Sequence, residues 1–227
     1  MTPKELLKKT LERMDGAYAD STTRAYRVDF EHFIKYCQEL NESPLPATPE
    51  TICLYIRNLI QDGRSSASIR RVMAGMTTIH KLNRFPDPTK DPDVILEIRR
   101  MHRKIGRYQK QAFGITGEIL EKLIQATEAG NRGARDRALL LIAYDTLCRR
   151  SEIVNLRVED IESYNDKLRI RLRKSKTDPY GNGRLLTLTP LSEKYLRDWL
   201  VLLNAYEGFI FRGIRGGKIQ DKISAEQ

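Results

Sequence analysis

Two basic side chains in the second half of the chain could act together on one phosphate group. Arg149 belongs to the segment TLCRRSEIVNLRVEDI, and Glu152 follows it by three residues, so on a short helix both would lie on one face. The apolar residues that fit the buried face of this helix are Leu147, Ile153, Val154 and Leu156. A basic run, LRIRLR, then predicts a strand that leads into the turn KSKTD, which carries Lys176. A guanidinium fork binds two phosphate oxygens and an ammonium supplies a movable proton, so these residues indicate chemistry at a phosphate.

This ordered set of residues resembles the catalytic domain of the tyrosine recombinases, the phage-integrase family, and is most similar to its Cre-like branch. The shared pieces are the Thr-Leu-x-Arg-x-x-Glu-Ile core from Thr146, the Arg-Val-x-Asp-Ile strand from Arg157, and the Lys-Thr hairpin at Lys176. An Arg-x-x-Glu pair alone would carry no information, because any solvated helix can hold one. The alternative interpretation is an ordinary salt-bridged helix beside an exposed hairpin.

The resemblance implies a role for each matched polar residue. Arg149 would be the first catalytic arginine and would neutralise the charge that develops on the scissile phosphate. Glu152 would be its buried, supporting partner. Lys176 would protonate the leaving 5′-hydroxyl from a flexible turn, and Lys174 competes with it for that role.

The family's remaining catalytic residues have no counterpart in this sequence. They are a His-x-x-Arg motif, a later His or Trp, and the tyrosine nucleophile. None of the histidines, which are His32, His80 and His102, begins a His-x-x-Arg motif. The resemblance therefore implies that the nucleophile segment follows Gln227. The chain would then correspond to the first two thirds of a recombinase and would not cleave DNA on its own.

The first 106 residues show the helical periodicity of a small bundle. Proline and glycine residues separate four or five amphipathic segments, and small polar residues stand where N-caps are expected. The second of these segments is predicted to start at a Ser21 or Thr22 cap. Three pieces, Thr-x-x-x-Tyr, Leu-Pro-Ala-Thr-Pro-Glu and Ser-x-x-Ser-Ile-Arg-Arg, resemble the family's N-terminal core-binding domain, which clamps one side of the DNA.

The sequence and the resemblance together predict a mainly α fold with a small β-hairpin or three-stranded sheet. Residues 1–106 would form the helical core-binding domain, and residues 107–113, which lack periodicity, would be a linker. Residues 114–227 would form an α+β catalytic domain that is incomplete at its C-terminus.

Composition favours a polyanionic partner, because the net charge is +10 and the pI is about 9.6. Cys37, Cys53 and Cys148 lie in apolar helical patterns, which predicts buried free thiols rather than disulfides or metal ligands. The sequence has no phosphate-binding loop and no ligand cluster, so no cofactor and no metal are expected. It has no signal-peptide pattern and no apolar run long enough for a membrane span, so a cytoplasmic location is expected.

Basic residues cluster where they could contact DNA. Between Arg99 and Lys110 there are six cations and no acidic residue, which a linker across a phosphate backbone explains better than helix-end stabilisation alone. The starts of the second and fourth helices offer further candidates. Each of these residues could contact DNA or could be an ordinary surface residue. The predicted DNA-binding residues are Arg24, Arg27, Ser66, Ser68, Arg70, Arg71, Arg99, Arg100, Arg103, Lys104, Arg107, Lys110, Arg150, Arg173 and Lys174.

The predicted function is site-specific recombination of double-stranded DNA through a 3′-phosphotyrosine intermediate, with self-association on DNA into a tetramer in the complete protein. Such a transesterification conserves bond energy, so it requires neither ATP nor metal. Two other classes stay open. One is a non-catalytic module that occupies recombination sites. The other is a helical RNA-binding or architectural protein, against which the lack of an aromatic-interleaved basic strand counts.

Overall fold

The computed structural model describes residues 2–108, 111–176, 178 and 181–223. The chain forms two compact units, residues 1–111 and 112–227, and each unit has its own buried core. Part of the predicted linker, Gln109 and Lys110, lies outside the described residues. No helix within these ranges combines the length and the apolar character that a membrane crossing requires.

Within the described residues, five α-helices build the first unit. They are α1 (Pro3–Met14), α2 (Asp20–Glu39), α3 (Pro49–Gln61), α4 (Ser66–Leu82) and α5 (Pro92–Ile105). Thr2, Thr48, Ser65 and Asp91 each accept an N–H group of the first turn at the starts of α1, α3, α4 and α5. These short polar side chains satisfy donors that a helix start leaves without partners, which is why the boundaries follow the sequence.

Helix α2 begins without a side-chain cap. Its N-cap is Ala19, so the prediction of a Ser21 or Thr22 cap is wrong. The N–H groups of Thr22 and Thr23 bond to the carbonyl of Ala19 instead, at 2.8 and 3.1 Å. The helix is held at this end by its backbone alone.

Aromatic and sulfur-containing side chains fill the core of the first unit. Phe30 and Phe33 of α2 are fully buried, and the ring centroid of Phe33 lies 4.9 Å from that of Tyr55 on α3. Met73 and Met76 of α4 are buried in the same core, as their helical spacing predicts. Because flexible thioethers fill irregular gaps, these methionines contribute packing.

Buried carboxylates connect pairs of helices in the first unit. Glu97 of α5 is 4% exposed and accepts two hydrogen bonds, of 3.0 and 2.9 Å, from the guanidinium of Arg57 on α3. Arg100 of α5 donates a third, at 3.0 Å. Asp29 of α2 accepts a bidentate pair from Arg71 of α4, at 2.8 and 2.9 Å. Since a buried carboxylate without partners is costly, these ion pairs fix α3 to α5 and α2 to α4.

The second unit combines helices with two small antiparallel sheets. Its described helices are α6 (Gly117–Gln125), α7 (Gly130–Thr146), α8 (Arg150–Ile153) and α9 (Pro190–Leu203). Its described strands are β1 (Ile161–Tyr164), β2 (Lys167–Leu172), β3 (Arg184–Thr187), β4 (Ile214–Arg215) and β5 (Lys218–Ile219). The strand order is β1–β2–β3 in one sheet and β4–β5 in the other. The predicted fold class, mainly α with a small sheet, is confirmed.

One face of the three-stranded sheet forms part of the second core. Leu168, Ile170 and Leu172 alternate along β2 and are buried, whereas Arg171 between them is exposed. On β3, the buried Leu186 lies opposite Ile170. Helices α7 and α9 pack against each other and add apolar side chains to the same core.

Trp199 of α9 marks the centre of the second core. It is fully buried, and its indole N–H donates to the carbonyl of Ile210 at 2.7 Å. It is also the sole tryptophan of the sequence. Its fluorescence therefore reports on the second unit alone.

Replacing the buried carboxylate of the first unit should destabilise that unit selectively. Glu97→Gln weakens three charge-assisted hydrogen bonds, so the free energy of unfolding of the first unit should fall by about 2–3 kcal/mol. Urea titration followed by circular dichroism should show an earlier transition, while the Trp199 fluorescence transition stays in place. Glu39→Gln, at an exposed position of α2, should leave both transitions unchanged.

The difference between the parent and Glu97→Gln should also depend on pH. Hydrogen bonds from Arg57, and then from Arg100, lower the pKa of the Glu97 carboxyl. A lowered folded-state pKa gives stability that is fully present above the ordinary carboxyl pKa of about 4.3 and is lost as pH falls through the lower value. A difference that grows on acidification would contradict this assignment.

Candidate phosphate-binding site

The connection between α7 and α8 creates the turn on which the candidate site is built. Helix α7 ends at Thr146, and Leu147 adopts the left-handed conformation with a φ of 50°. The Leu147 side chain is 84% exposed, so the prediction that it belongs to a buried helix face is wrong. The other apolar residues of the segment are buried as predicted, namely Ile153, Val154 and Leu156. The reversal at Leu147 brings Arg149 to the start of α8.

Arg149 and Glu152 form the polar centre of the site. Arg149 is the N-cap of the single-turn helix α8, so the two side chains do not meet on one helix face as the spacing predicted. Glu152 Oε2 instead accepts the backbone N–H of Arg149 at 2.9 Å, and Oε1 accepts Nη1 of the guanidinium at 2.8 Å. The Glu152 side chain is 6% exposed, whereas that of Arg149 is 50% exposed. A buried carboxylate thus anchors an arginine whose head reaches solvent.

Hydrogen bonding keeps Glu152 ionised although it is buried. Burial is the largest influence and raises the pKa of its carboxyl. The backbone N–H and guanidinium of Arg149, together with the backbone N–H of Lys176, outweigh it and lower the pKa below its ordinary value. The contribution from Lys176 places the backbone of the hairpin turn beside α8. Lys176 itself is exposed, so its ammonium is accessible from solvent.

Asp178 organises the turn between β2 and β3. Its carboxylate accepts the backbone N–H groups of Gly181, Asn182 and Gly183 at 3.1, 3.1 and 2.7 Å. These bonds, that from Gly183 first, lower the pKa of the Asp178 carboxyl. Gly183 has a φ of +72°, and a Cβ there would lie 3.0 Å from the carbonyl oxygen of Leu172. The turn residues outside the described part of the chain are Thr177, Pro179 and Tyr180.

These elements enclose a cleft of about 560 Å³. Arg149, Glu152, Asp178 and Arg184 all line it. Arg184, the first residue of β3, is a site residue that sequence reasoning missed. Its Nη2 lies 3.7 Å from Sγ of Cys148, which is a free thiol and is only partly buried, contrary to prediction. The available signal was a cation at the start of the strand that returns from the Gly-Asn-Gly turn.

The three other basic residues predicted near this site differ in their surroundings. Arg150 and Lys174 are exposed. Arg173 Nε donates to Asp160 Oδ1 at 2.8 Å, and its Nη2 lies 3.7 Å from Glu159 Oε1. A phosphate would have to compete with both carboxylates for Arg173.

In the first unit, several predicted DNA contacts surround one histidine. Ser66 is buried, and its hydroxyl lies 3.1 Å from Nδ1 of His102, which makes it a packing contact. The pKa of His102 is lowered first by burial and then by the charges of Arg107 and Arg70, which therefore lie close to the ring. Ser68 hydrogen-bonds through its hydroxyl to that of the α4 N-cap serine, at 3.0 Å. This region is a positively charged surface around the start of α4.

Some of the remaining DNA-binding residues predicted in the first unit form ion pairs with carboxylates, and others do not. Arg71 is bound to Asp29, and Arg100 is bound to Glu97. The expectation that the cations between Arg99 and Lys110 have no acidic partner is therefore wrong for Arg100. Lys110 lies outside the described residues. The residues that are exposed and form no ion pair with the described residues are Arg24, Arg27, Arg99, Arg103 and Lys104.

Comparisons with known proteins agree with this architecture in both units. Residues 114–222 match the phage integrase family, and residues 10–85 match the phage integrase N-terminal SAM-like domain. An integrase/recombinase xerD homolog from Selenomonas ruminantium is 31% identical over 233 residues, covering 96% of this chain and 68% of its own length. The chain belongs to the phage integrase family of tyrosine recombinases.

Two more distant proteins are similar to the chain, one in sequence and one in fold. The recombinase cre of Escherichia phage P1 is 26% identical over 190 residues, covering 79% of this chain and 55% of its own length. The Tn1549 transposon integrase, solved in complex with circular intermediate DNA, has a TM-score of 0.60 at 16% identity and covers 97% of this chain and 73% of its own. The chain spans about half to two thirds of the length of the curated relatives that it matches.

A third comparison supports the fold alone. The XerH site-specific recombinase bound to palindromic difH substrate has a TM-score of 0.58 at 17% identity, and the match covers 97% of this chain and 64% of that structure. Both structural matches extend over nearly the whole chain, so they include the helical first unit as well as the second.

Removing the charge of Glu152 should destabilise the second unit. Glu152→Gln keeps the side-chain shape but weakens its bonds to Arg149, so the free energy of unfolding should fall by roughly 1–3 kcal/mol. Urea titration followed by Trp199 fluorescence measures this directly. The control is Glu128→Gln, which removes an exposed ion pair with Arg132 at 3.8 Å and should cost little.

The effect of Glu152→Gln should disappear in acid. Because the folded-state pKa of Glu152 is lowered, its contribution is complete above about pH 4.3 and is lost as pH falls through the lower value. An effect that stayed constant down to the acid transition would mean that the carboxylate charge is not what holds Arg149.

Proposed function

We propose that this protein is a site-specific DNA recombinase that acts on a backbone phosphate bound in the cleft of Arg149 and Glu152. The observation that carries this proposal is the way in which Arg149 is held. Only Nη1 is bonded to Glu152, because the second carboxylate oxygen binds the backbone N–H of Arg149. The Nε and Nη2 donors form no hydrogen bond with the described residues, and this edge has the geometry that binds two phosphate oxygens.

In this proposal Arg149 acts by preorganised charge. Attack of a tyrosine hydroxyl on phosphorus places additional negative charge on the non-bridging oxygens. A guanidinium that a buried carboxylate already orients can stabilise that charge without reorganising during the reaction. The products of the attack are a 3′-phosphotyrosine and a free 5′-hydroxyl. We propose that the attacking tyrosine belongs to a segment that these 227 residues do not contain.

Lys176 would supply the proton to the leaving 5′-oxygen. Its backbone N–H affects the pKa of Glu152 and its side chain is exposed, which supports a position of the ammonium near the phosphate that Arg149 would hold. A proton donor on a turn can approach the phosphate after DNA has bound. Lys174 is the competing candidate, since it lies on the same turn and its side chain packs near Gly181.

The first unit would grip the duplex beside the cleavage point. Exposed cations on α2, α4 and α5 supply the sequence-independent part of this grip, because neutralised phosphates release counterions. We place Arg24, Arg70 and Arg103 among these contacts, as they are exposed and form no ion pair with the described residues. The strand exchange that follows cleavage needs more than one protomer, so we include self-association on DNA into a tetramer in the proposal.

Substitutions in a form of the protein that carries the nucleophile segment separate the two roles. Arg149→Ala should reduce cleavage by on the order of 100- to 1000-fold while most DNA affinity is kept. Lys176→Ala should also slow cleavage, but a substrate with a 5′-phosphorothiolate should recover much of the loss because its sulfur leaves without a proton. The same substrate should not rescue Arg149→Ala. Single-turnover cleavage measures the rate of each of the two variants on each of the two substrates.

Two further variants control this experiment. Arg150→Ala removes the same charge at the neighbouring exposed position and should change the cleavage rate far less than Arg149→Ala. Rescue of Lys174→Ala in place of Lys176→Ala would reassign the proton donor. If neither lysine variant is rescued, the hairpin binds DNA without taking part in proton transfer.

A non-catalytic DNA-binding module is the second candidate function for the chain by itself. One observation favours it: no tyrosine of the described residues lines the cleft. Tyr206 is 93% exposed in a separate loop, and Tyr144 is 40% exposed. A chain with this arrangement would bind DNA and leave it uncut.

The 227-residue chain should bind duplex DNA in EDTA and form no covalent adduct with it. Gel shifts at two salt concentrations should show a steep loss of affinity, because each phosphate contact releases counterions. Incubation with a nicked suicide substrate should give no SDS-resistant complex. An adduct that is lost in Tyr180→Phe would show that the turn carries the nucleophile, and absence of binding at low salt would remove both candidate functions.

A further inference from the structure

We propose that Arg184 is a second phosphate-binding arginine of the cleft, acting on the DNA backbone phosphodiester together with Arg149. This inference rests on the proposed function and adds a ligand-binding residue to the same site. Both arginines line one cleft, although they are 35 positions apart in the sequence and come from a strand and a helix cap.

The register of the sheet determines where Arg184 lies. Side chains alternate along a strand, so Arg184 is on the same face of β3 as Leu186, which is buried. Arg184 pairs with Leu172 of β2, another buried residue on that face. Arg184 therefore lies at the exposed end of that face of the sheet, where it lines the cleft.

The partner of Arg184 compensates its charge poorly. Its Nη2 donates to the thiol sulfur of Cys148 at 3.7 Å, and a neutral thiol is a weak acceptor. No carboxylate of the described residues lies within ion-pair distance of Arg184. By contrast, Arg171 on the opposite face of the same sheet is bound to Glu162 at 2.9 Å. An exposed guanidinium with one weak partner retains donors for an anion.

The charges of the cleft favour an anionic ligand at this position. Glu152 and Asp178 both line the cleft, but both oxygens of Glu152 accept donors of Arg149, and Asp178 accepts three N–H groups of its own turn. Their charges are therefore already compensated. Two half-free guanidinium groups face this space from different elements, and a phosphodiester has two non-bridging oxygens that each can accept from one of them.

Arg184 also connects the ligand to the position of Arg149. Its sulfur partner, Cys148, directly precedes Arg149 in the chain. A phosphate bound by Arg184 would therefore draw β3 and the start of α8 together around the same group. This arrangement predicts that Arg184 contributes to DNA affinity and to the placement of the phosphate.

Duplex binding by the 227-residue chain, measured by fluorescence anisotropy over a range of salt, tests the proposal. Arg184→Ala should weaken binding several-fold, and the slope of log K against log salt should fall by about 0.9, the value for one lost phosphate contact. Arg184→Lys should restore the slope, since it keeps the charge, with only part of the affinity. Arg171→Ala is the matched control on the opposite face and should resemble the parent.

Equal losses in Arg184→Ala and Arg171→Ala would overturn the proposal, because the effect would then be one of net charge. An unchanged slope in Arg184→Ala would overturn it as well. Trp199 fluorescence in urea establishes that each variant is folded, so a loss of binding is not a loss of structure.

A second measurement separates this proposal from the proposed function. The Nε–H resonance of Arg184, assigned with Arg184→Lys, should shift on titration with inorganic phosphate and not with chloride at the same ionic strength. If the parent fails to bind DNA but this resonance shifts, the proposed function fails and the anion site stands. If the parent binds DNA and neither the resonance nor the salt slope responds, Arg184 is not a phosphate ligand and the proposed function is unaffected.

Discussion

A buried carboxylate must have its charge compensated on every side, and in the second unit this requirement makes Glu152 the point around which the cleft is assembled. Its oxygens accept the backbone N–H and the guanidinium of Arg149, and the backbone N–H of Lys176 also lowers the pKa of its carboxyl. These donors come from a helix start and from the tip of a hairpin. One carboxylate therefore interacts with both the helix start and the hairpin.

The first unit uses the same chemistry with a different outcome. Glu97 binds Nε and Nη2 of Arg57 in a bidentate pair and takes a third donor from Arg100. Asp29 binds Nε and Nη2 of Arg71 in the same way. There the fork of each arginine is occupied, and the pairs connect helices. At Glu152 a backbone N–H takes the place of the second guanidinium donor, and this difference leaves the fork of Arg149 available.

The sequence was sufficient to predict most helices and strands and the pairing of Arg149 with Glu152. It was not sufficient for features that depend on tertiary contacts. Cap residues such as Thr48 and Asp91 act locally, so their signals were reliable. Spacing placed Arg149 inside a helix, but the left-handed Leu147 shortens α8 to one turn and makes Arg149 its cap. The partnership of Arg184 with Cys148 depends on strand register, which no local pattern contains.

The hairpin turn also shapes how this protein can diversify. Its conformation is set by main-chain N–H groups that bind Asp178, so the side chain at Asn182 takes no part in it. Position 182 can therefore carry any residue that keeps a backbone N–H, and its side chain changes the surface presented beside the cleft. Position 183 has no such freedom, because its positive φ and the nearby Leu172 carbonyl exclude a side chain. Two neighbouring residues of one turn thus differ in which substitutions they tolerate, because their backbone conformations and surroundings differ.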